Sequence, residues 1–324
     1  MTAAKDQAEK IERKDCPVCG NAMRSRFRKF GHAFFQCRDC RFGCFQPIPN
    51  SEDILRRYTN AYFRNEYLQS YGASWDQFNM DVIRRRFAYI AERFLSRCVL
   101  PEGEKTVLDV GCGGGFLLKC FQEQGWRTHG VDIIASSVQY SRERLGVPAV
   151  QADFEKADPE TLFPSGEKFT VVTLTDALEH FFNPRKVLEK TYRMLKPGGV
   201  VFVSVPNIES ICMRYLGKQW AIVSPLEHIS YFSPSSLKLM LAQAGFSHIQ
   251  TQVLQYVNVA NVHRRTLRVR LGRYLVFLVS RTYGIAFEGR EAYDDILSQG
   301  YFKSAEEPGP RGDVLVAIGQ KTHE

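Results

Sequence analysis

Between Lys105 and Val205, short β-branched runs alternate with stretches in which apolar residues recur every three or four positions. The runs TVLDV, WRTHGVD, PAVQAD, KFTVVTLTD and GVVFVSVP read as strands. Between them the spacing predicts helices over 116–124, closed by Gly125, near Ser136 to Leu145, and over 184–195. Strands that alternate with helices require right-handed crossovers and parallel pairing, so this stretch predicts an α/β class with an open, doubly wound sheet. Another helix opens at Ser233-Pro234 and ends at Gly245, and terminal strands are expected near His248 to Val257 and Asp313 to Gly319. The residues between those strands, about 258–311, read as an insertion in a main domain spanning 101–324.

Upstream the pattern changes twice. Ile83, Phe87, Ile90 and Phe94 mark an amphipathic helix over Asp81 to Leu95, and residues 50–100 read as a helical lid or linker. Residues 15–49 form a Cys-rich, Phe-rich module that ends at Gln46-Pro47-Ile48-Pro49-Asn50-Ser51. The polar residues 1–14 are expected to be a mobile N terminus.

Composition narrows the class. The 324 residues are 44% hydrophobic and 24% charged, which suits a globular protein and excludes collagen, coiled coil or a disordered tail. The longest apolar run, Leu275 to Val279, falls far short of the roughly 20 residues that cross a bilayer. The first residues lack the apolar stretch of a secretory signal, so a cytoplasmic location is expected. A net charge of +8 permits anionic partners without requiring them. Of nine cysteines, Cys16, Cys19, Cys37, Cys40 and Cys44 crowd the first fifty residues, which points to a local device in a reducing compartment and not to a disulfide framework.

The strand TVLDV runs into Gly111-Cys112-Gly113-Gly114-Gly115 and then a helix, the place where α/β sheets bind cofactors. The spacing is Gly-x-Gly-x-Gly, with Phe116 where a dinucleotide site would have its third glycine. Asp109 stands two residues before the first glycine, and an anion there would repel a pyrophosphate. These residues resemble the first motif of the class I S-adenosylmethionine (SAM) methyltransferases. The resemblance implies a Rossmann-like sheet of seven strands. It also implies a cofactor set. Asp109, Gly111, Cys112, Gly113 and Gly115 would face the methionine end, and Asp132 with Ile133 would hold the ribose hydroxyls. Asp153 and Phe154 would meet the adenine, and Thr175 with Asp176 would stand beside the sulfonium. Leu195-Lys196-Pro197-Gly198-Gly199 is similar to the family's entry to its fifth strand.

Cys16-Pro17-Val18-Cys19 and Cys37-Arg38-Asp39-Cys40 are two C-x2-C turns 17 residues apart, a spacing that suits one structural zinc ion on four thiolates, with Cys44 to spare. Arg24, Arg26 and Arg28 alternate between the pairs and in a regular strand would share one face, with Phe27, Phe30, Phe34 and Phe35 as ribbon core. The order of ribbon, Tyr-rich helices and SAM domain resembles a bacterial group of zinc-ribbon methyltransferases acting on sugars, lipids and other metabolites. That likeness makes Tyr58, Tyr62, Phe63, Tyr67, Tyr71 and Trp75 lid or acceptor-pocket candidates, and places Asn207 and Trp220 where the acceptor pocket is built.

Chemistry is expected after the fourth strand. Asp176, Glu179 and His180 would share one face of a helical turn, and His228 follows later as a second histidine. His180 or His228 can serve as a general base assisted by Glu179. The segment is also similar to the Glu-x-x-Glu-His motif of ubiquinone-pathway O-methyltransferases, which would imply a divalent ion such as Mg2+. The expected function is SAM-dependent methylation, at oxygen, of a small molecule, a sugar or glycan precursor or a lipid-linked acceptor. The alternatives are an RNA methyltransferase docking through the ribbon and a non-catalytic SAM-binding scaffold. The basic, apolar stretch 263–279 suggests a peripheral membrane contact.

Overall fold

The computed structural model describes residues 15–48, 51–70, 73–77, 80–163, 166–220, 222–254 and 312–322. The expected mobile N terminus, the insertion at about 258–311 with its stretch 263–279, and Tyr71 lie outside the described residues. The strands are β1 (Met23–Lys29), β2 (His32–Cys37), β3 (Gly43–Gln46), β4 (Thr106–Val110), β5 (Arg127–Asp132), β6 (Ala149–Gln151), β7 (Phe169–Thr175), β8 (Leu195–Pro206), β9 (Ser230–Tyr231), β10 (Ser247–Leu254) and β11 (Val314–Gln320). The helices are α1 (Ser51–Leu55), α2 (Asn60–Tyr62), α3 (Leu68–Ser70), α4 (Met80–Arg93), α5 (Phe116–Glu123), α6 (Ala135–Leu145), α7 (Pro159–Leu162), α8 (Pro184–Met194), α9 (Ile211–Leu216) and α10 (Pro234–Gln243). None of the helices among the described residues is long and apolar enough to cross a membrane.

Seven strands form the main sheet in the order β10-β11-β8-β7-β4-β5-β6. β4 to β8 pair in parallel, and β11 joins β8 antiparallel and carries β10 on its outer edge. β4 is buried along its whole length, and β7 along all but its last residue, which is why their sequences read as unbroken apolar runs. The chain winds outward from β4 through β5 to β6, then returns to β7 on the other side of β4. That reversal opens a crevice at the carboxyl ends of β4 and β7, where ligands of such sheets bind.

The helices start where their caps dictate. Asn183 caps α8 by accepting from the Lys186 N–H at 3.2 Å, with Pro184 in the first turn. Ser233 and Ser236 form a reciprocal capping box on α10. Leu195, expected to end α8, is already extended and opens β8, since a helix does not continue comfortably into Lys196-Pro197.

The smaller sheet runs β1-β2-β3-β9, all antiparallel. Its last strand comes from far along the chain: Gly43 faces Tyr231 and Cys44 faces Ser230. Phe34 and Phe45 are fully buried 5.1 Å apart, and Phe34 meets the Tyr231 ring at the same distance. Two expectations fail here. Phe30 is 68% exposed at the β1–β2 turn and is no part of the ribbon core. The three arginines do not share a face, because the register shifts between Ser25 and Phe27. Arg24 pairs with Gln36 and Arg28 with Ala33, three residues apart on β2 and therefore on opposite faces.

Candidate active site

The turn after β4 is shaped by its glycines. Gly111 stands at φ +76, and a side chain there would meet the Ala177 Cβ at 2.8 Å. The glycine turn and the turn after β7 are thus in direct contact. Gly113, at φ +51, leaves room for the phenol of Tyr67, which accepts from the Gly114 N–H at 3.3 Å.

The expected cofactor carboxylates sit at strand ends around this turn. Asp109 is buried on β4, and its Oδ1 accepts from the Thr173 hydroxyl at 2.6 Å. Asp132 accepts from the Gly113 N–H, the Ile134 N–H and the Ser137 hydroxyl, each at 2.8 Å. Burial pushes its pKa up, and these hydrogen bonds oppose the rise. Ile133 follows it half-buried, its carbonyl accepting from Gln151 at 3.3 Å. Asp153 caps its own turn through the Glu155 N–H and pairs with Lys156 at 2.9 Å, while Phe154 is buried. Thr175 ends β7, with a buried hydroxyl that finds no hydrogen-bond partner among the described residues. Cys112 is buried, and that burial pushes its thiol pKa well up.

After β7 the helical face expected for Asp176, Glu179 and His180 does not form. Asp176 adopts φ +52, its Oδ1 accepting from the Ser204 hydroxyl at 2.9 Å, and a single 3-10 turn follows over Leu178–His180. Glu179 is instead brought to both histidines. It is 1% exposed, and its Oε1 lies 4.0 Å from the Nε2 of His180 and 4.0 Å from the Nε2 of His228. The His180 Nδ1 is 2.7 Å from the Glu227 carbonyl, and the His228 Nδ1 is 2.6 Å from that of Ile222. A carbonyl can only accept, so both Nδ1 atoms carry protons. In the neutral rings both Nε2 lone pairs are then left open toward the carboxylate. Burial keeps them neutral, holding His180 down to about 3 with His228 adding to the effect, and lowering His228 as well. Three ligand atoms within 4.8 Å of one another suit a divalent cation.

The segment 57–67 touches both halves of this arrangement. Tyr58 places its hydroxyl 2.7 Å from the His180 Nδ1, and Arg57 pairs with Glu227 and with Glu66. Tyr67, stacked on buried Phe63 at 5.2 Å, reaches the glycine turn. Two acceptor-pocket candidates are spent on the fold. Asn207 is buried, donating to the Gly312 carbonyl at 2.8 Å and accepting from the Glu209 N–H at 3.0 Å. Trp220 belongs to the core of Phe34, Phe45 and Tyr231. A cavity of about 370 Å³ lies between the ribbon and the start of α8, lined by Phe42, Ile48, Phe182 and Met240 among others and by no residue of the glycine turn.

One bracing group escaped the sequence reading. Lys190 of α8 is buried and donates to the carbonyls of Phe154 (2.6 Å), Glu155 (3.1 Å) and Ala157 (2.5 Å). Glu155 in turn accepts from the backbone N–H groups of Phe182 and Asn183, at 3.0 and 2.7 Å. The signal was a lysine beside Val187, Leu188 and Thr191 on the buried side of the helix.

At the ribbon, the Sγ atoms of Cys16, Cys19, Cys37 and Cys40 lie within 4.8 Å of one another, with Cys16–Cys40 and Cys19–Cys37 at 3.5 Å. Zinc–sulfur bonds of about 2.3 Å give tetrahedral sulfur–sulfur edges of about 3.8 Å, so the cluster is compatible with one zinc ion. Cys44 stands apart from this set, within 3.8 Å of the Gln46 amide. None of the nine cysteines forms a disulfide.

A family model described as a methyltransferase domain matches residues 82–251. The chain is 28% identical over 172 residues to a ubiquinone biosynthesis O-methyltransferase of Chelativorans sp. (strain BNC1), covering 49% of this chain and 68% of the relative. It is 32% identical over 152 residues to the protein of that name from Idiomarina loihiensis, covering 45% and 63%. Among solved structures it is similar to a SAM-dependent methyltransferase from Archaeoglobus fulgidus, with a TM-score of 0.49 and 16% identity over 79% of this chain and 98% of that one.

Proposed function

The chain belongs to the methyltransferase-domain family and is a class I SAM-dependent methyltransferase, and from that premise we propose that it methylates a hydroxyl oxygen on a small molecule, a sugar or glycan precursor, or a lipid-linked acceptor. The observation that carries this reading is the convergence of Glu179, His180 and His228 beside the glycine turn. A hydroxyl is a poor nucleophile until its proton is drawn away, and an electron-rich pocket next to the methyl donor is what that step needs. The relatives' name, which specifies O-methyltransferase, supports oxygen as the acceptor atom.

SAM supplies a methyl group on a sulfonium, and the chain's own residues bind, align and shield it. In this assignment Asp132 faces the ribose hydroxyls, with Asp153 and Phe154 at the adenine end. Asp109 and the glycine turn face the methionine end, and Thr175 and Asp176 border the sulfonium. Tyr58 and Tyr67 close the site from above, which excludes water from an in-line transfer. Asp-x-x-Glu-His replaces the carboxylate pair expected for a metal site, yet His228 restores a set of two imidazoles and one carboxylate. Both Nδ1–H groups are held by carbonyls, the arrangement that orients histidine toward a metal. A divalent ion bound by Glu179, His180 and His228 would polarise the acceptor hydroxyl. The four ribbon cysteines are assigned to a structural zinc.

The deciding experiment incubates the protein with methyl-labelled SAM and a host extract, then separates water-soluble small molecules and glycans, lipids and nucleic acid. Label in a small-molecule, glycan or lipid fraction, released as an alkyl ether, is the expected result. Label confined to RNA overturns it.

A further inference from the structure

β1 is the outer edge of the ribbon sheet, and its turn into β2 carries a feature that folding does not explain. Phe30 stands at φ +48 and Gly31 at φ +81. A two-residue hairpin turn of this kind favours Asn, Asp or Gly at its first position, because a bulky side chain crowds the backbone there. The phenyl ring is nevertheless 68% exposed, and its ring partner among the described residues is the ammonium of neighbouring Lys29, 5.4 Å from the centroid. Along the same strand Arg24, Arg26 and Arg28 are exposed, and none of them pairs with a carboxylate among the described residues. Residues 15–48 hold six arginines and lysines against two aspartates. Charges on an edge strand discourage unwanted strand addition, which accounts for the arginines and leaves Phe30 without a reason.

We propose that this hairpin, with Phe30 at its tip and Arg24, Arg26 and Arg28 behind it, docks on an anionic phospholipid bilayer. One apolar wedge flanked by guanidinium groups suits the headgroup boundary. There the ring enters the acyl region, and the cations stay at the phosphates. Single-stranded RNA would use a row of stacking rings, but Phe34 is buried and Phe27 and Phe35 are half-buried, so one ring alone projects. The tip is joined to the active site. The Lys29 Nζ donates to the Val223 carbonyl at 2.5 Å, and the next carbonyl back, Ile222, holds His228 at 2.6 Å. Resting on the methyltransferase reading, the consequence is an amphiphilic acceptor presented from the membrane surface.

The test is co-sedimentation of the full chain with phosphatidylcholine vesicles, with and without phosphatidylglycerol, at low salt. Wild-type protein is expected to sediment only with the anionic vesicles. Phe30→Asn keeps or raises Tm, since Asn tolerates the left-handed backbone, and weakens binding about tenfold through loss of the buried ring. Replacing Arg24, Arg26 and Arg28 with Gln weakens it by between about fivefold and about a hundredfold, at about fivefold for each basic side chain near the surface, since Arg24 and Arg28 lie on opposite faces of the strand. Absence of wild-type binding, or binding unchanged in both variants, overturns the proposal. So does RNA captured at salt concentrations that release the vesicles. SAM binding, measured separately by calorimetry, is unchanged in every variant, so failure of docking and failure of the methyltransferase reading are told apart.

Discussion

Glu179 is 1% exposed, with its Oε1 4.0 Å from the Nε2 atoms of His180 and His228, a donor set that a divalent cation would suit. Glu179→Gln preserves the shape and removes the charge. Under the proposed chemistry it lowers kcat by about a hundredfold or more. The dissociation constant for SAM stays within a factor of about two, since the cofactor carboxylates are untouched. Equal loss of kcat and cofactor affinity would instead make Glu179 a brace for the loop. His129 is a separate case midway along β5, wedged between Phe163 and Phe169 with rings 5.7 and 5.4 Å away. Burial lowers its pKa, and Arg127 adds to that effect. A histidine with a folded pKa below its unfolded value binds its proton first in the unfolded chain. Its contribution to stability is therefore complete above about pH 6.5 and is lost as pH falls through that value. His129→Phe is expected to flatten the decline by up to about 1 kcal/mol between pH 6.5 and 5.5, read from urea midpoints. An unchanged slope would mean that the ring already carries its proton in the folded protein.

Lys190 shows how an element is tied to the cofactor crevice. Its ammonium gathers three carbonyls of the 153–157 turn, so α8 fixes the loop assigned to adenine, and Glu155 ties that loop to the residues after His180. Lys190→Met takes the donor from one buried and two half-buried carbonyls and is expected to cost about 1 to 3 kcal/mol in urea unfolding. The KM for SAM rises while kcat at saturating cofactor changes little; a fall in kcat alone would detach the turn from cofactor binding. Such cross-ties mark where the sequence stops being readable. β4, β7 and the glycine turn were legible because burial on both faces and positive φ angles leave local signatures. So were the two C-x2-C turns, whose paired cysteines lie three residues apart and cluster as four. The bulge that splits Arg24 from Arg28 was not, since register is set by the partner strand. The spacing of Asp176 suggests a helical turn that its own left-handed backbone and its bond to Ser204 forbid, and Asn207 is held in the fold by Gly312, 105 residues on.

At the scale of the whole molecule, the ribbon and the catalytic sheet meet through a few shared residues. β9 completes the ribbon sheet, and the segment leading into it carries His228. The Ser233 hydroxyl caps α10 and also donates to the Cys40 carbonyl at 2.7 Å. Gln243 at the end of α10 and Arg185 at the start of α8 bind the carbonyls of Val18 and Pro17, at 2.8 Å each. A proposed zinc ion on Cys16, Cys19, Cys37 and Cys40 would therefore stiffen the wall behind His228 as well as the ribbon. Metal binding and folding are one equilibrium in such small modules. Cys37→Ser, or chelation of the zinc, is expected to release β3 from β9 and with it the register of the His228 loop. The cofactor crevice is built on the main sheet, at the carboxyl ends of β4 and β7, and not on the ribbon strands, so it is expected to survive the loss. SAM affinity by calorimetry is then expected to stay within about twofold, while methyl transfer falls by at least about tenfold, a loss of positioning without loss of cofactor binding. If transfer persists at its full rate in metal-free protein, the ribbon is an appendage and β9 holds its place through Tyr231 alone. If SAM binding collapses as well, the two sheets unfold as one cooperative unit and the bonds at Ser233, Gln243 and Arg185 are what join them.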